Sequence, residues 1–403
     1  MILYLTYNDQ PSGVYWSQVT DVVEHLNTLG AGQVKLVALV SGRDFLKTRR
    51  AIKAHSPSAW VLPMVPTMKR WQKNTAILAW VCRLLHPTGT ICRGPFATWM
   101  ALRMRERGLT KKICFDGRGA YAAEWEEYRI IDDDALIAQF RPLESEAVNK
   151  SDFRLAVSNA LVAHWRERYD YKGDAHVVVP CTLGKDVATA PHTNVTSSNA
   201  EGMGRSAQSD RGVETSHLTL HTPHLSEAPV RLVYSGSTAG WQSFELLNGL
   251  LRQALDAQPN VHVLFLSKRD ANNSALEAAY PGRVEVMWLD HAQVAQALAT
   301  CDYGIMVRER TITNQVASPT KFAEYLSNGL RVITNEGLGD FSELVRKERL
   351  GVVLDVQDLI PTLAPVPAEE RIRLTAFAHA RFRKVTYDGQ YRKILGAMGD
   401  RQN

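Results

Sequence analysis

Apolar runs of strand length recur along this chain, each followed by a polar turn and then by apolar residues at helical spacing. The first, ILYLTY at 2–7, ends in the turn-forming Asn8-Asp9-Gln10-Pro11-Ser12-Gly13. Behind it Val19, Val22, Val23, Leu26 and Leu29 recur every three or four residues and predict a helix that stops at Gly30. VKLVALV at 34–40 predicts the next strand. A fully apolar first strand followed by loop, helix and strand is how a parallel sheet covered on both faces begins. Further strands are expected at 59–65, 90–94, 112–119, 153–158 and 176–181, with helices at 98–107 and 161–168 among them.

The pattern then breaks. Residues 187–229 contain no aromatic residue, and 189–226 carry six Ser and six Thr among scattered His, Gly and charged residues. Such a segment buries too little apolar surface to offset its ordering entropy, so a flexible linker or insertion is expected there. From Val230 the alternation restarts, with strands expected at 230–237, 261–267, 284–289, 303–307 and 330–335 and helices at 244–257 and 292–299. Two doubly wound α/β domains are therefore expected, an N-terminal one at 1–186 and a C-terminal one at 230–384. The helical segment at the end, about 385–403, is expected to pack back on the first domain. In such sheets ligands bind beyond the carboxyl ends of the strands.

Composition narrows the class. The chain has 403 residues, 45% of them hydrophobic and 22% charged, as in globular proteins large enough for two cores. The net charge of +5 favours anionic partners without choosing among them. Five scattered cysteines without a CxxC pair argue against a disulfide framework and a zinc site. The start of the chain does not read as a secretory signal, and no run of 18 apolar residues occurs, so a cytoplasmic protein is expected. No Ser-His-Asp set, Walker loop or GxGxxG after a strand is visible, and the twelve histidines form no ligand cluster. Metal is expected to be absent. Residues 43–73 hold eight Lys or Arg against one acid, interleaved with Phe45, Trp60 and Trp71. A solvated helix face and an anionic membrane contact both suit this patch, with nucleic acid weighed below them.

One stretch carries candidate chemistry. In VASPTKFAEYLSNGLRVI, from Val316, Ser318 suits an N-cap and Pro319 the first helical position. The N–H groups of Thr320 and Lys321 at that helix start suit an anion such as a diphosphate. Lys321, Glu324 and Asn328 fall on a stripe roughly 60° wide, opposite Phe322, Tyr325 and Leu326. A carboxylate about one turn deeper than the anion suits a ribose diol, since it accepts two hydroxyl hydrogen bonds. The same spacing equally describes a solvent-exposed Lys–Glu pair on an ordinary helix.

SPTKFAEYLSNGLRVI, preceded by YGIMVRERTITNQVA, resembles the donor-nucleotide signature of GT-B-fold glycosyltransferases, in particular glycosyltransferase family 4 enzymes of bacterial surface-polysaccharide type. The resemblance implies a GT-B-like fold, with two Rossmann-like doubly wound domains facing a central cleft. It implies that Glu324, five residues before Gly329, holds the nucleotide ribose. Where the family carries an earlier Glu this chain has Val316, and Arg308 and Glu309 would then sit by the diphosphate or sugar. LVYSGSTAGWQSFELL resembles the first strand–loop–helix of the nucleotide domain, which implies Gly236 and Ser237 beside the phosphates. Trp241-Gln242 stands where the family has a basic residue. Lys268 after FLS matches a diphosphate-reaching cation, and WLDHAQVAQALATCDYGI implies backbone near Trp288 and Leu289 holding the base.

In the first half, FDGRGAYAAEWEEY resembles a strand-end loop of some of these enzymes. Arg118 either binds an acceptor group or pairs with Asp116 to fix the loop, and Gly13 either lets the acceptor backbone approach or serves a turn. The implied function is hexosyl-type transfer from a nucleoside-diphosphate sugar, of UDP or GDP type, to a hydroxyl of a glycan or lipid-linked acceptor. Retention of configuration and independence of metal and other cofactors are implied as well. Arg308, Lys321 and Lys268 would neutralise the leaving diphosphate, Ser318 and Thr320 would line it, and Asp116 and Glu309 are the carboxylates to test for acid–base work. A sugar-nucleotide epimerase of the same architecture and a non-catalytic nucleotide- or glycan-binding relative stand as alternatives.

Overall fold

The computed structural model describes residues 1–399 apart from 31, 66–67, 186, 188–227, 238 and 356–357. The linker expected at 187–229 thus lies almost wholly outside the described residues. Two parallel sheets organise the rest. The first holds β1 (Ile2–Tyr7), β2 (Val34–Val40), β3 (Trp60–Pro63), β4 (Gly89–Arg93), β5 (Lys112–Gly117), β6 (Phe153–Ala156) and β7 (His176–Val178), in the spatial order β3-β2-β1-β4-β5-β6-β7. The second holds β8 (Val230–Ser235), β9 (Val261–Leu266), β10 (Val284–Met287), β11 (Tyr303–Met306), β12 (Arg331–Asn335) and β13 (Gly351–Leu354), ordered β10-β9-β8-β11-β12-β13. In each sheet the chain runs outward on one side, then crosses back to continue on the other. The switch points are β1/β4 and β8/β11, where crevices open beyond the strand ends.

Full burial of β1 follows from its central place. Its side chains alternate between faces: Ile2 and Tyr4 pack with Leu36, Tyr391 and Leu395, while Leu3 and Leu5 pack with Trp71, Leu78 and Met100. The residues Tyr391, Leu395 and Met398 belong to the helix Asp388–Met398, which lies on the N-terminal sheet. A break separates the helical segment expected at about 385–403 from the helix before it. The helix Ala368–Phe382 ends at extended Arg383, and Lys384 turns inward to donate 2.7 Å to the Leu183 carbonyl. That buried ammonium lies 3.8 Å from Asp21, a counter-charge that makes the break tolerable. Helices beyond the pattern read from sequence include Thr75–Leu85, Tyr121–Tyr128, Asp134–Lys150 and Phe341–Lys347.

In the C-terminal domain the helix Thr320–Ser327 buries Phe322, Tyr325 and Leu326 completely. A Cβ on Gly304 of β11 would lie 2.1 Å from the Tyr325 ring, so glycine is required for the ring to lie on the strand. The Tyr325 hydroxyl then accepts the Ser235 N–H at 2.9 Å, tying helix, β11 and the end of β8 together.

Each domain caps a helix of the other. Glu127 accepts from Ile312 N (2.8 Å), Thr313 N (3.1 Å) and Thr313 Oγ1 (2.6 Å) at the start of the helix Ile312–Gln315. Asp340 accepts from Asn159 N (2.7 Å) and Ala160 N (3.0 Å) at the start of the helix Asn159–Tyr169. A carboxylate at a helix N-terminus satisfies free N–H groups and meets the positive end of the dipole. Ser158 adds a 2.7 Å bond to the Val316 carbonyl, and the Val316 side chain is buried with Phe115, Leu161 and Trp165.

Candidate functional site

The carboxyl ends of β8 and β11 bring together residues far apart in sequence. β8 ends at Ser235-Gly236, and the loop beyond it makes one 3-10 turn at Gly240–Gln242. β11 runs on into Arg308, whose backbone Asn335 holds from both sides: Arg308 N donates to Asn335 Oδ1 (2.8 Å), and Asn335 Nδ2 donates to Arg308 O (2.7 Å). The guanidinium donates to Asn314 Oδ1 (3.2 Å) and to Gln242 Oε1 (3.3 Å). Lys321 Nζ donates to the same Gln242 oxygen at 2.8 Å. Two cations thus converge on one neutral oxygen at the switch point of the C-terminal sheet.

Both cations are nearly out of water, Arg308 at 7% and Lys321 at 8% exposure. Burial pushes Arg308 down to about 10, which leaves it charged at neutral pH. Burial also holds the Lys321 ammonium well below its usual range, and the Arg308 charge adds to this against a smaller opposing effect of Glu324. Among the described residues no carboxylate comes within salt-bridge distance of either. The Tyr234 ring lies 4.1 Å from Lys321 Nζ and supplies a cation–π contact instead. Gly236, with φ +144°, makes room: a Cβ there would come 2.7 Å from the Lys321 nitrogen. The Arg308 Nε is buried without a hydrogen-bond partner among the described residues.

Several residues sit differently from the expectation. Ser318 is not the cap of its helix. Pro319 takes that place, and Ser318 Oγ accepts the Cys181 N–H at 2.9 Å, across to the chain leaving the first domain. Lys321 does not share an outer polar stripe; its side chain runs into the strand-end crevice. Asn328 turns back to donate to the Glu324 carbonyl (2.8 Å), which closes the helix. Glu324 is half-buried on the same helix, with Thr320 as the first helical residue. Glu309 is exposed, and its N–H donates to Ser243 Oγ at 2.8 Å. Ser237 is exposed in the β8 loop, where its carbonyl accepts from the Tyr234 hydroxyl at 2.6 Å. On neighbouring strand ends Lys268 lies 5.3 Å from the exposed Trp288 ring, with Leu289 half-buried beside it.

The N-terminal candidates form a separate cluster at the ends of β1, β4 and β5. Asp116 is fully buried and bonded to the Tyr4 hydroxyl. Arg118 meets it twice, Nη2 to Oδ2 at 3.1 Å and Nε to Oδ1 at 2.6 Å, the second as an ion pair outside hydrogen-bond alignment. Asp116 and Arg118 are thus paired with each other at this strand end. Gly13 opens a short helical turn after β1, and its carbonyl accepts from Ser17 Oγ at 3.1 Å. Arg93 at the end of β4, paired with Asp9 (3.4 Å), stands at this domain's switch point. Gln242, Asn314, Tyr234 and Arg93 escaped the sequence reading. The one available signal was the pair Trp241-Gln242 standing where a basic residue was expected.

No protein-family model matches the chain, and no curated protein matches it. Solved structures do. Sucrose-phosphate synthase from Thermosynechococcus elongatus is similar at a TM-score of 0.66 and 13% identity, covering 98% of this chain and 99% of that one. Anabaena HepE, solved with UDP and glucose, is similar at a TM-score of 0.65 and 13% identity over 98% of this chain and 99% of its own. A putative UDP-N-acetylglucosamine 2-epimerase from Listeria monocytogenes is similar at 0.51 and 10% identity, over 98% of this chain and 90% of its own.

The fold is GT-B-like. Its two Rossmann-like domains put the Arg308–Gln242–Lys321 cluster at the switch point of the second sheet.

The depressed Lys321 pKa has a measurable consequence. Between the folded-state value and about 10.5 the unfolded chain binds more protons, so stability rises with pH across that window. Below the window the burial cost is present in full. Lys321→Met is expected to raise the thermal midpoint at pH 7, by about 1 kcal/mol or more in stability, with the gain shrinking toward pH 10. A midpoint below wild type at pH 7 contradicts the assignment of a strained cation.

Proposed function

We propose that the chain is a glycosyltransferase that takes a sugar from a nucleoside diphosphate and passes it to an acceptor hydroxyl. The supporting observation is the pair of buried cations, without a carboxylate within salt-bridge distance among the described residues, at the β8/β11 switch point. Such a pair suits a diphosphate: its charge offsets the mutual repulsion, and hydrogen bonds to charged oxygens are the strong ones. In the reaction the bond between the anomeric carbon and the phosphate oxygen breaks and a bond to the acceptor oxygen forms. The electron pair leaves with the diphosphate, where Arg308 and Lys321 stabilise the growing charge. Glu324 anchors the ribose and Ser237, Thr320, Lys268 and Leu289 complete the nucleotide side. Of the carboxylates considered for acid–base work, Glu309 is the exposed one. Retention of configuration, metal independence, a UDP or GDP donor and a role in surface-polysaccharide assembly belong to the same reading. The Val316 side chain stands where the resemblance implies a sugar-contacting Glu, so the donor pocket differs from the common pattern.

The acceptor is assigned to the membrane side of the first domain. The helix Phe45–His55 exposes Leu46 (65%) beside Lys47, Arg49 and Arg50, and the helix Thr75–Leu85 exposes Trp80 (54%) and Leu84 (59%). Apolar tips on the two helices that flank the edge strand β3 from opposite sheet faces, one of them basic, suit an anionic lipid surface holding a lipid-linked acceptor. Among the described residues no helix is long and apolar enough to cross a membrane.

A thermal-shift panel of UDP, GDP, ADP and CMP, followed by turnover of the matching sugar donors, tests the first part. One nucleoside diphosphate should stabilise the wild type, and Glu324→Ala should weaken its binding by about tenfold, as expected for a lost charged hydrogen bond. Sugar transfer supports the proposal, whereas epimerisation of the donor or binding without turnover selects one of the alternatives. Vesicle flotation tests the second part. Binding to vesicles with anionic lipid, absent with zwitterionic lipid and lost in Leu46→Ser/Trp80→Ser, is the expected outcome; equal behaviour toward both vesicles contradicts it.

A further inference from the structure

Arg308 does not find its geometry within its own domain alone. Its Nη1 donates to Asn314 Oδ1 (3.2 Å), and Asn314 is fully buried. The amide can face only one way, because its Nδ2 donates to the Glu309 carbonyl (3.0 Å) and to the Tyr128 hydroxyl (3.1 Å). Tyr128 lies 2.9 Å from Thr311 Oγ1, the second polar contact of its hydroxyl. It ends the helix Tyr121–Tyr128 of the N-terminal domain, next to Glu127, which caps the helix carrying Asn314. The ring also touches the other wall of the cation site. A Cβ on Gly240 would lie 2.9 Å from its Cδ1, and the ring meets Trp241 edge-on at 6.3 Å between centroids. One N-terminal side chain therefore touches two of the three C-terminal segments that carry the cation cluster, the Gly240–Gln242 turn and the stretch from Arg308 to Asn314.

We infer that Tyr128 is a positioning residue for Arg308, acting through the Asn314 amide, so that the cation pair takes its working geometry only while the two domains are in contact. The inference rests on the reading of this cluster as a diphosphate site. Without the phenol, Asn314 Nδ2 keeps one acceptor and the amide is free to turn its own N–H₂ toward the guanidinium, which has no use for a second donor. Arg308 is then oriented from Gln242 alone. Since the guanidinium stabilises charge that grows as the diphosphate leaves, the loss falls on kcat more than on KM.

The test uses full-length protein with arginine side chains labelled for NMR, the Arg308 signals being assigned with Arg308→Lys, together with steady-state kinetics. In wild type the Arg308 guanidinium should show hindered rotation. Tyr128→Phe, Asn314→Ala and the double variant should lose it to the same extent, and each should lower kcat about tenfold, as for one lost hydrogen bond to a charged group. The double variant should be no worse than either single one. Gly240→Ala, which pushes the ring aside without touching the relay atoms, should reproduce the effect in milder form. An ordered guanidinium in Tyr128→Phe, or additive losses in the double variant, overturns the relay even where nucleotide binding is intact. Wild type that binds no nucleotide but shows the coupled ordering overturns the diphosphate reading instead.

Discussion

Two buried cations that share a single amide oxygen set the terms for the C-terminal half of this molecule. A carboxylate in place of Gln242 would neutralise the pair within the protein and leave little attraction for an outside anion. An apolar residue would leave both charges buried without an acceptor between them. The amide orients Arg308 and Lys321 without cancelling them. The surroundings follow from that compromise. Gly236 has no side chain because the ammonium occupies that space, the Tyr234 ring offers a π-face, and Asn335 pins the Arg308 backbone from both directions.

The domain joint is built from the same segment. Between Arg308 and Ser318 the chain supplies a cation, the helix capped by Glu127, the carbonyl bound by Ser158 and a serine that holds Cys181. Val316 fills the joint with an apolar side chain, where the resemblance placed a carboxylate. A carboxylate there would face Phe115, Leu161 and Trp165, a costly setting for a charge. In the proposed reading Val316 exchanges a ligand contact for a domain contact, in keeping with the proposed dependence of the site on the opposite domain.

Much of the fold was legible because strands buried on both faces read as unbroken apolar runs, as in ILYLTY and VKLVALV. The helix Tyr121–Tyr128 was not, since Glu124, Glu126 and Glu127 mask its inner Ala122 and Ala123, and the helix Asp134–Lys150 carries Pro142 in its interior. For the candidate site, Arg308, Lys321, Glu324 and Gly236 were named through a motif, and three of them, Arg308, Lys321 and Gly236, meet at one crevice. Periodicity gave Lys321 an outward stripe because angular spacing says nothing about where a helix starts relative to a sheet. Ser318-Pro319 read as a cap from local preference, and a long-range bond to Cys181 won the serine instead. Gln242, Asn314 and Tyr128 lie within the stretches that carried the resemblance but bear no charge and had no role there, so only the folded chain reveals that they are linked.

Proton uptake on binding tests the central claim most directly. A diphosphate beside Lys321 favours the charged ammonium and draws its pKa upward, so binding at alkaline pH must take up protons. Above pH 8 the terminal phosphate, with a pKa of about 6, is fully ionised and releases none. Calorimetry of the stabilising nucleotide at pH 8–8.5, in buffers of differing ionisation enthalpy, should register uptake of part of a proton in wild type and less in Lys321→Met. Binding with the same proton count in both proteins would contradict the assignment of Arg308, Gln242 and Lys321 as the diphosphate site.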